Sequence, residues 1–341
     1  MARKIKVGII GSAGNVASVC IGALLHRGAD IVCGVEIRRI GEDVGAASGS
    51  EPIGIATTDV ANLEDTVKAT MPDVMLDCSL NTVEEIFPQA KTCMENGVNY
   101  MPVGIVCYNP RVAAPELARE LDEIGKRTGA SYLGSGSAEL WQSIPLVLSA
   151  LSGKFTKVRL VFNALLDGFG EESSAGMGFG APPEEWESLA YDGEEEGPSM
   201  WIGVDTLFAE KCGLHVTGYE TKNDIVPAKA DVSPADLDYT IKEGCLVGYM
   251  ETGVVHTEEG IDIESVSYFK YGEGGETNSF TVEFDGEPDI RMAIEDFHGA
   301  VTTSTIMVNR IPDLIGAPGG VVMVNDLPFI TYKSAAAFEI E

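Results

Sequence analysis

A glycine-spaced turn stands near the amino terminus: Gly11-Ser12-Ala13-Gly14-Asn15-Val16-Ala17. It follows a short apolar run and precedes a helical pattern. In that setting Gly11 permits a tight turn, Gly14 lets backbone approach a pyrophosphate, and Ala17 permits close helix–strand packing. The backbone of Ser12, Ala13, Asn15 and Val16 would then face phosphate at a helix start. The spacing is GxxGxxA rather than the stricter GxGxxG, so its context carries the reading; the alternative is a generic turn between strand and helix. Glu36 lies 22 residues after Gly14, at the end of the next strand-like run. A carboxylate there accepts hydrogen bonds from ribose hydroxyls and favours NAD. Arg38 and Arg39 follow at once, and a guanidinium there would hold the 2′-phosphate of NADP. If the arginines point into solvent, only the carboxylate speaks. The pair of devices leaves NAD or NADP as the cofactor.

Three further stretches bear candidate chemistry. Cys78-Ser79-Leu80-Asn81-Thr82 follows an apolar strand. Loops at the carboxyl ends of parallel strands face a dinucleotide, so Cys78, Ser79 and Asn81 are candidates for ribose or nicotinamide contacts. A helix cap at Asn81 or Thr82 is the equal alternative. Gly134-Ser135-Gly136-Ser137-Ala138-Glu139-Leu140-Trp141 marks the expected domain switch, where clefts form. Gly136 lets backbone approach a ligand and Trp141 would wall an apolar pocket. Glu139 is either a general acid or ammonium ligand, or a first-turn charge complementing the helix dipole. The third stretch, Asp296 to Thr303, places His298 just before a helix. Imidazole is a natural proton donor near neutrality; capping the helix is the structural alternative. His26 ends a helix, and His215 and His256 sit in strand-like context. Tyr108 is a further candidate donor, and Gly104, Phe169 and Thr303 complete the candidate substrate pocket. No His, Cys or Asp spacing resembles a metal site.

These residues need a frame. Apolar runs at 5–10, 31–37, 73–78, 98–103 and 131–133 read as strands, and apolar periodicity at 15–27, 58–71, 82–96 and 115–128 reads as helices. Asn62 is the expected cap of the second helix, and Gly97 and Gly129 close the last two. Strands alternating with helices imply βαβ units and a parallel sheet. The fold class is α/β: an N-terminal Rossmann doubly wound sheet over 1–134, then an α+β substrate domain with a mixed sheet over 135–299. Residues 300–341 are expected to pack back near the first domain. A helix over 138–151 leads to a strand over 157–166. Residues 168–199, rich in Gly, Glu, Ser and Pro, read as a long loop, either a lid or an exposed connection. A helix over 301–311 is expected to stop at Pro312.

Composition limits the function classes. A chain of 341 residues suits two domains, and 45% apolar residues can bury a sizeable core. No apolar run reaches 18 residues, so no membrane span is indicated. Fifty-three acidic against 23 basic residues give a net charge of −30, which repels nucleic acid and anionic lipid. That acidity suits either a saline interior or an ordinary acidic enzyme. Seven cysteines without CxxC spacing read as reduced small hydrophobes, and the expected location is the cytoplasm.

With those residues in view, the chain resembles the dihydrodipicolinate-reductase-like superfamily. Within it, the chain is most similar to 2,4-diaminopentanoate dehydrogenases and related NAD(P)-dependent amine dehydrogenases. The resemblance rests on Gly134-Ser135-Gly136, Ile144-Pro145-Leu146, Gly178-Phe179-Gly180 with Pro183-Glu184-Glu185-Trp186, and Gly286-Glu287-Pro288. It continues through His298 to Thr303, Val308-Asn309-Arg310-Ile311-Pro312, Ala317-Pro318-Gly319 and Asp326-Leu327-Pro328. It implies a homodimer built largely through the second domain, and hydride transfer at the amine or imine carbon of a small, amino-acid-derived substrate. It also implies a carboxylate pair just after the fifth strand, where this chain reads Met101-Pro102-Val103-Gly104-Ile105-Val106-Cys107-Tyr108 and has no acid. Glu139, His298 or Tyr108 must then take over proton handling, or the reaction differs. Two other readings stay open: a ketone or semialdehyde reductase (or alcohol dehydrogenase) on the same fold, and a non-catalytic dinucleotide-binding sensor.

Overall fold

The structure, a computed structural model, describes residues 2–166, 174, 177–188 and 199–340. Phe169 and much of the 168–199 segment lie outside the described residues. The chain divides into two compact units, residues 1–143 with 300–341 and residues 144–299. Both crossings fall inside helices.

In chain order the main strands are β1 (Lys6–Ile10), β2 (Asp30–Glu36), β3 (Thr57–Asp59), β4 (Val74–Asp77), β5 (Asn99–Pro102) and β6 (Ser131–Tyr132). They are followed by β7 (Lys154–Leu165), β8 (Val216–Pro227), β9 (Leu246–Thr257), β10 (Asp262–Lys270), β11 (Ser279–Glu287), β12 (Ile290–Glu295) and β13 (Gly320–Val321). The main helices are α1 (Asn15–His26), α2 (Leu63–Thr70), α3 (Val83–Glu95), α4 (Pro115–Thr128), α5 (Ser137–Ser149), α6 (Ile202–Lys211) and α7 (Gly299–Ile315).

The first unit is built on a seven-stranded parallel sheet in the order β3-β2-β1-β4-β5-β6-β13. Val7, Ile9, Ile10, Val74, Met75 and Leu76 are buried on both faces, which is why these strands read as unbroken apolar runs rather than alternating ones. Strand order reverses between β1 and β4. Ligands of open parallel sheets bind at that switch, beyond the carboxyl ends of the strands. The 58–71 segment, expected to contain a helix capped at Asn62, does so: α2 begins at Leu63 with Asn62 in the N-cap position, preceded by β3 and a 3₁₀ turn at Val60–Asn62. Asn62 makes no capping hydrogen bond; Asp59 accepts from Ala61 N–H one turn earlier. Between Asn81 and Thr82, the cap of α3 is Thr82, in a reciprocal box with Glu85. Helix α7 does not stop at Pro312 but continues to Ile315. Its last turn is held by Leu314, fully buried, and by Asp313, which receives Arg310 and Lys333. That anchoring offsets the backbone hydrogen bond a proline removes.

The second unit holds a six-stranded mixed sheet in the order β12-β11-β7-β10-β9-β8, in which only β7 and β10 run parallel. Along β7, Val158, Leu160 and Phe162 are buried while Arg159, Val161 and Asn163 are half-exposed. This period of two marks a sheet with one packed face. Helix α6 packs on β8, β9 and β10, and Phe162 meets Trp201 edge-on with ring centroids 5.8 Å apart.

Candidate active site

At the carboxyl edge of the first sheet, the chain leaves β1 through Gly11, whose φ of +70° favours glycine. A side chain at Gly11 would stand 3.0 Å from Ser79 Cβ and 3.1 Å from the Cys78 carbonyl. Gly14 N–H closes the turn onto Gly11 O (3.0 Å). Helix α1 then starts with Gly14 in extended conformation and no side-chain cap, which leaves its first-turn N–H groups available to an anion. Glu36, at the end of β2, accepts from Ala13 N–H at 2.6 Å, so the carboxylate stands directly against the glycine turn. Ser12 is fully buried, while Gly14 and Asn15 are exposed and Val16 is half-buried. Arg38 and Arg39 are both exposed; Arg39 turns back to Ala47 O (2.8 Å), and Arg38 makes no hydrogen bond or ion pair among the described residues. An uncapped helix start, a turn with no room for Cβ and an acid at the turn together fit a dinucleotide: pyrophosphate on the α1 N-terminus, adenosine ribose on Glu36.

The neighbouring loops form a second layer. Cys78 is half-buried and its N–H bonds Ile10 O (2.9 Å). Ser79 and Asn81 are exposed. A side chain at Gly104 would stand 2.4 Å from Asn81 O, and Cys107 Sγ donates to that same carbonyl (3.3 Å). Loop 78–82 therefore rests on loop 103–107 only because Gly104 has no Cβ. Gly136 lies against Thr303, with 3.2 Å between its would-be Cβ and Thr303 Cγ2. Ser304 Oγ in turn donates to Val16 O (2.8 Å). The structure thus brings Gly11, Ser79, Asn81 and Gly104 together in one cluster, and ties Gly136 and Thr303 to α1 through the next residue of α7.

The proposed acids separate. Glu139 is 1% exposed and ion-paired with Arg310, itself 2% exposed. Arg310 Nε reaches its two carboxylate oxygens at 2.8 and 3.0 Å. Burial pushes the Glu139 carboxyl up, and the guanidinium pulls it back. Tyr108 is buried and donates to Gln142 Oε1 (2.6 Å); burial raises its phenol well above the usual range. Both of these candidate proton-handling side chains belong to the interior of the first unit. Trp141, expected to wall a pocket, is 2% exposed. His298 lies in the second unit, exposed, immediately before α7, the helix that carries Thr303.

The sequence reading missed Asp77. It ends β4, is fully buried, and accepts from Ser79 N–H (2.9 Å), Ser79 Oγ (2.5 Å) and the Tyr100 hydroxyl. Burial pushes its carboxyl above the ordinary aspartate range, against those three hydrogen bonds. An acid closing an apolar strand (Val-Met-Leu-Asp) was the available signal. Among the described residues no group of three His, Cys, Asp or Glu is placed to hold a metal, and no helix is long and apolar enough to cross a membrane.

Fold and site define a Rossmann-type dinucleotide-binding oxidoreductase with a mixed-sheet second unit. A family model described as the 2,4-diaminopentanoate dehydrogenase C-terminal domain matches residues 142–338, more than half of the chain. The chain belongs to that family, and is an NAD(P)-dependent dehydrogenase or reductase. It is 25% identical over 276 residues to 2,4-diaminopentanoate dehydrogenase of Acetoanaerobium sticklandii, covering 79% of this chain and 77% of the relative. A shorter match, 34% over 101 residues, joins 28% of this chain to 36% of 4-hydroxy-tetrahydrodipicolinate reductase of Methanothermobacter thermautotrophicus. Among solved structures, amine dehydrogenase from Mycobacterium smegmatis superposes with a TM-score of 0.86 at 26% identity, over 97% of this chain and 98% of the other. Dipicolinate-bound dihydrodipicolinate reductase from Paenisporosarcina sp. TG-14 shares the fold (TM-score 0.53, 16% identity, 95% of this chain and 99% of the other).

Proposed function

We propose that this chain is an amine dehydrogenase, acting at the C–N carbon of a small, amino-acid-derived amine or, in reverse, on the corresponding imine. The observation that carries the reading is the family match over 142–338, which spans the whole of the second unit. Similarity to an amine dehydrogenase and to a diaminopentanoate dehydrogenase supports the amine carbon. Glu36 at the glycine turn favours NAD, because a carboxylate there accepts from ribose hydroxyls and repels a 2′-phosphate; Arg38 is the residue that would admit NADP. The nicotinamide supplies the hydride acceptor or donor.

The chain's own part is to bind, orient and move a proton. The Gly11–Val16 turn holds the pyrophosphate. Cys78, Ser79 and Asn81 border the ribose and nicotinamide, and Gly104, Gly136 and Thr303 shape the floor beneath the substrate. His298 is the proton-handling group: of the three candidates it alone is exposed, and it needs no carboxylate in the 101–108 loop. Glu139 and Tyr108 support the frame. The open face of the second unit's sheet, with Val161 and Asn163 half-exposed, is the surface for a homodimer, and the enzyme works in the cytoplasm.

The missing acid pair keeps one rival, hydride transfer at a carbonyl or alcohol carbon. Nicotinamide absorbance at fixed enzyme, NAD⁺ and NADP⁺, against short diamines, amino acids, amino alcohols and hydroxy acids, decides between them when ammonia is assayed in parallel. Reduction with stoichiometric ammonia is the expected result. Reduction without ammonia moves the enzyme to C–O chemistry, and tight cofactor binding without turnover makes it a sensor.

A further inference from the structure

We propose that Asp77 is a positioning residue for the dinucleotide, acting through Ser79. The inference rests on the dinucleotide reading above. Asp77 and Tyr100 are both fully buried, and the carboxylate takes the Tyr100 hydroxyl on one oxygen and both donors of Ser79 on the other. Its own backbone carbonyl accepts from Val103 N–H (3.0 Å). One residue therefore ties loop 78–82 and the start of loop 103–108 to the end of β4. Ser79 is the exposed end of this chain of bonds, and its Cβ lies 3.0 Å from where a side chain at Gly11 would begin. The loop is pressed against the glycine turn from one side and pulled down by the carboxylate from the other.

The hydrogen-bond inventory sets what Ser79 offers. Its N–H and its hydroxyl proton are both given to Asp77, so only oxygen lone pairs remain for a ligand. Ser79 is thereby fixed as an acceptor, suited to a ribose hydroxyl or a carboxamide N–H. A buried carboxylate that lost these donors would be left unsatisfied at considerable cost.

The test is a double-mutant cycle on the full chain, read as NADH affinity by fluorescence. Ser79→Ala and Asp77→Asn are each expected to weaken NADH binding about tenfold, the value of one well-placed hydrogen bond. The double variant should be no weaker than Asp77→Asn alone, since the two residues act as one unit. In turnover, KM for the dinucleotide should rise while kcat at saturation stays within about threefold. Wild-type affinity in Asp77→Asn, or strictly additive losses, overturns the inference. If Asp77→Asn does not fold, Tyr100→Phe takes its place in the cycle, and an unchanged NADH affinity there overturns it equally. Wild-type protein that binds no NADH overturns the dinucleotide reading itself and this inference with it.

Discussion

His298 is one of four histidines and the exposed one that directly precedes α7. A side chain that moves a proton in the rate-determining step contributes a factor of roughly 100 to 10,000. His298→Ala is therefore expected to lower kcat at least about 100-fold while leaving NADH affinity within about twofold. Steady-state turnover beside a binding titration checks this, and an unchanged kcat would make His298 a helix-capping residue. Glu36 supports a different prediction. Its carboxylate already sits 2.6 Å from Ala13 N, so Glu36→Ser removes a charged acceptor from the ribose. We expect kcat/KM for NAD to fall about tenfold or more, and the NAD-to-NADP preference to shrink by at least that factor. Equal losses with both cofactors would mean that Glu36 only braces the turn.

At the scale of elements, the Glu139–Arg310 pair joins α5 to α7, and Arg310 also reaches Asp313 Oδ2 (2.9 Å) and Pro328 O (2.7 Å). Both partners of the central pair are nearly inaccessible. Removing one strands the other charge in the interior, which costs about 3–5 kcal/mol. Arg310→Ala should lose that much in chemical denaturation, whereas Arg310→Met with Glu139→Leu should recover a good part, because neither charge is then left alone. If the single variant unfolds at the wild-type midpoint, the pair carries no structural weight. Asp313, paired with Arg310 and Lys333, anchors the turn beyond Pro312, which is why α7 runs through the proline.

For the molecule as a whole, pH enters most clearly through Asp205 on α6. It is fully buried, bonded to Ser265 Oγ at 2.8 and 2.7 Å, and desolvation lifts its pKa from 3.8 to about 8, with Glu251 adding to the rise. The folded state therefore keeps a proton that the unfolded chain releases above about pH 4. The stability this group leaves intact at pH 4 is lost progressively as pH rises to about 8, and no further loss follows above that. Asp205→Asn should flatten this slope and be more stabilising at pH 8 than at pH 5. Melting temperatures from pH 4 to 9 for both proteins check it, and identical slopes would remove Asp205 from the account. The net charge of −30 adds self-repulsion common to both proteins, so their difference isolates the one group.

Much of the frame was legible because its causes are local. Buried parallel strands need apolar runs, the βα turn needs glycine, and Thr82 with Glu85 or Gly129 at φ +84° mark helix ends by chemistry within one turn. Strand β3 escaped because three residues carry no period, and the reach of α7 escaped because a proline penalty was outweighed by partners elsewhere in the chain. The division of labour among acids was the least legible. Glu139 and Arg310 are 171 residues apart, and nothing in the neighbourhood of either announces the other.

What the sequence determined by itself was therefore the class of frame and the glycine turn between its first strand and helix, since hydrophobic period, glycine and caps act over a few residues. Only the tertiary structure decided which charged groups are spent on the interior and which stay open to a ligand. It buried Glu139 against Arg310, set Asp77 beneath Ser79 and left His298 exposed. Burial and pairing are set by which distant segments meet, and that is a property of the packed chain rather than of any stretch of it.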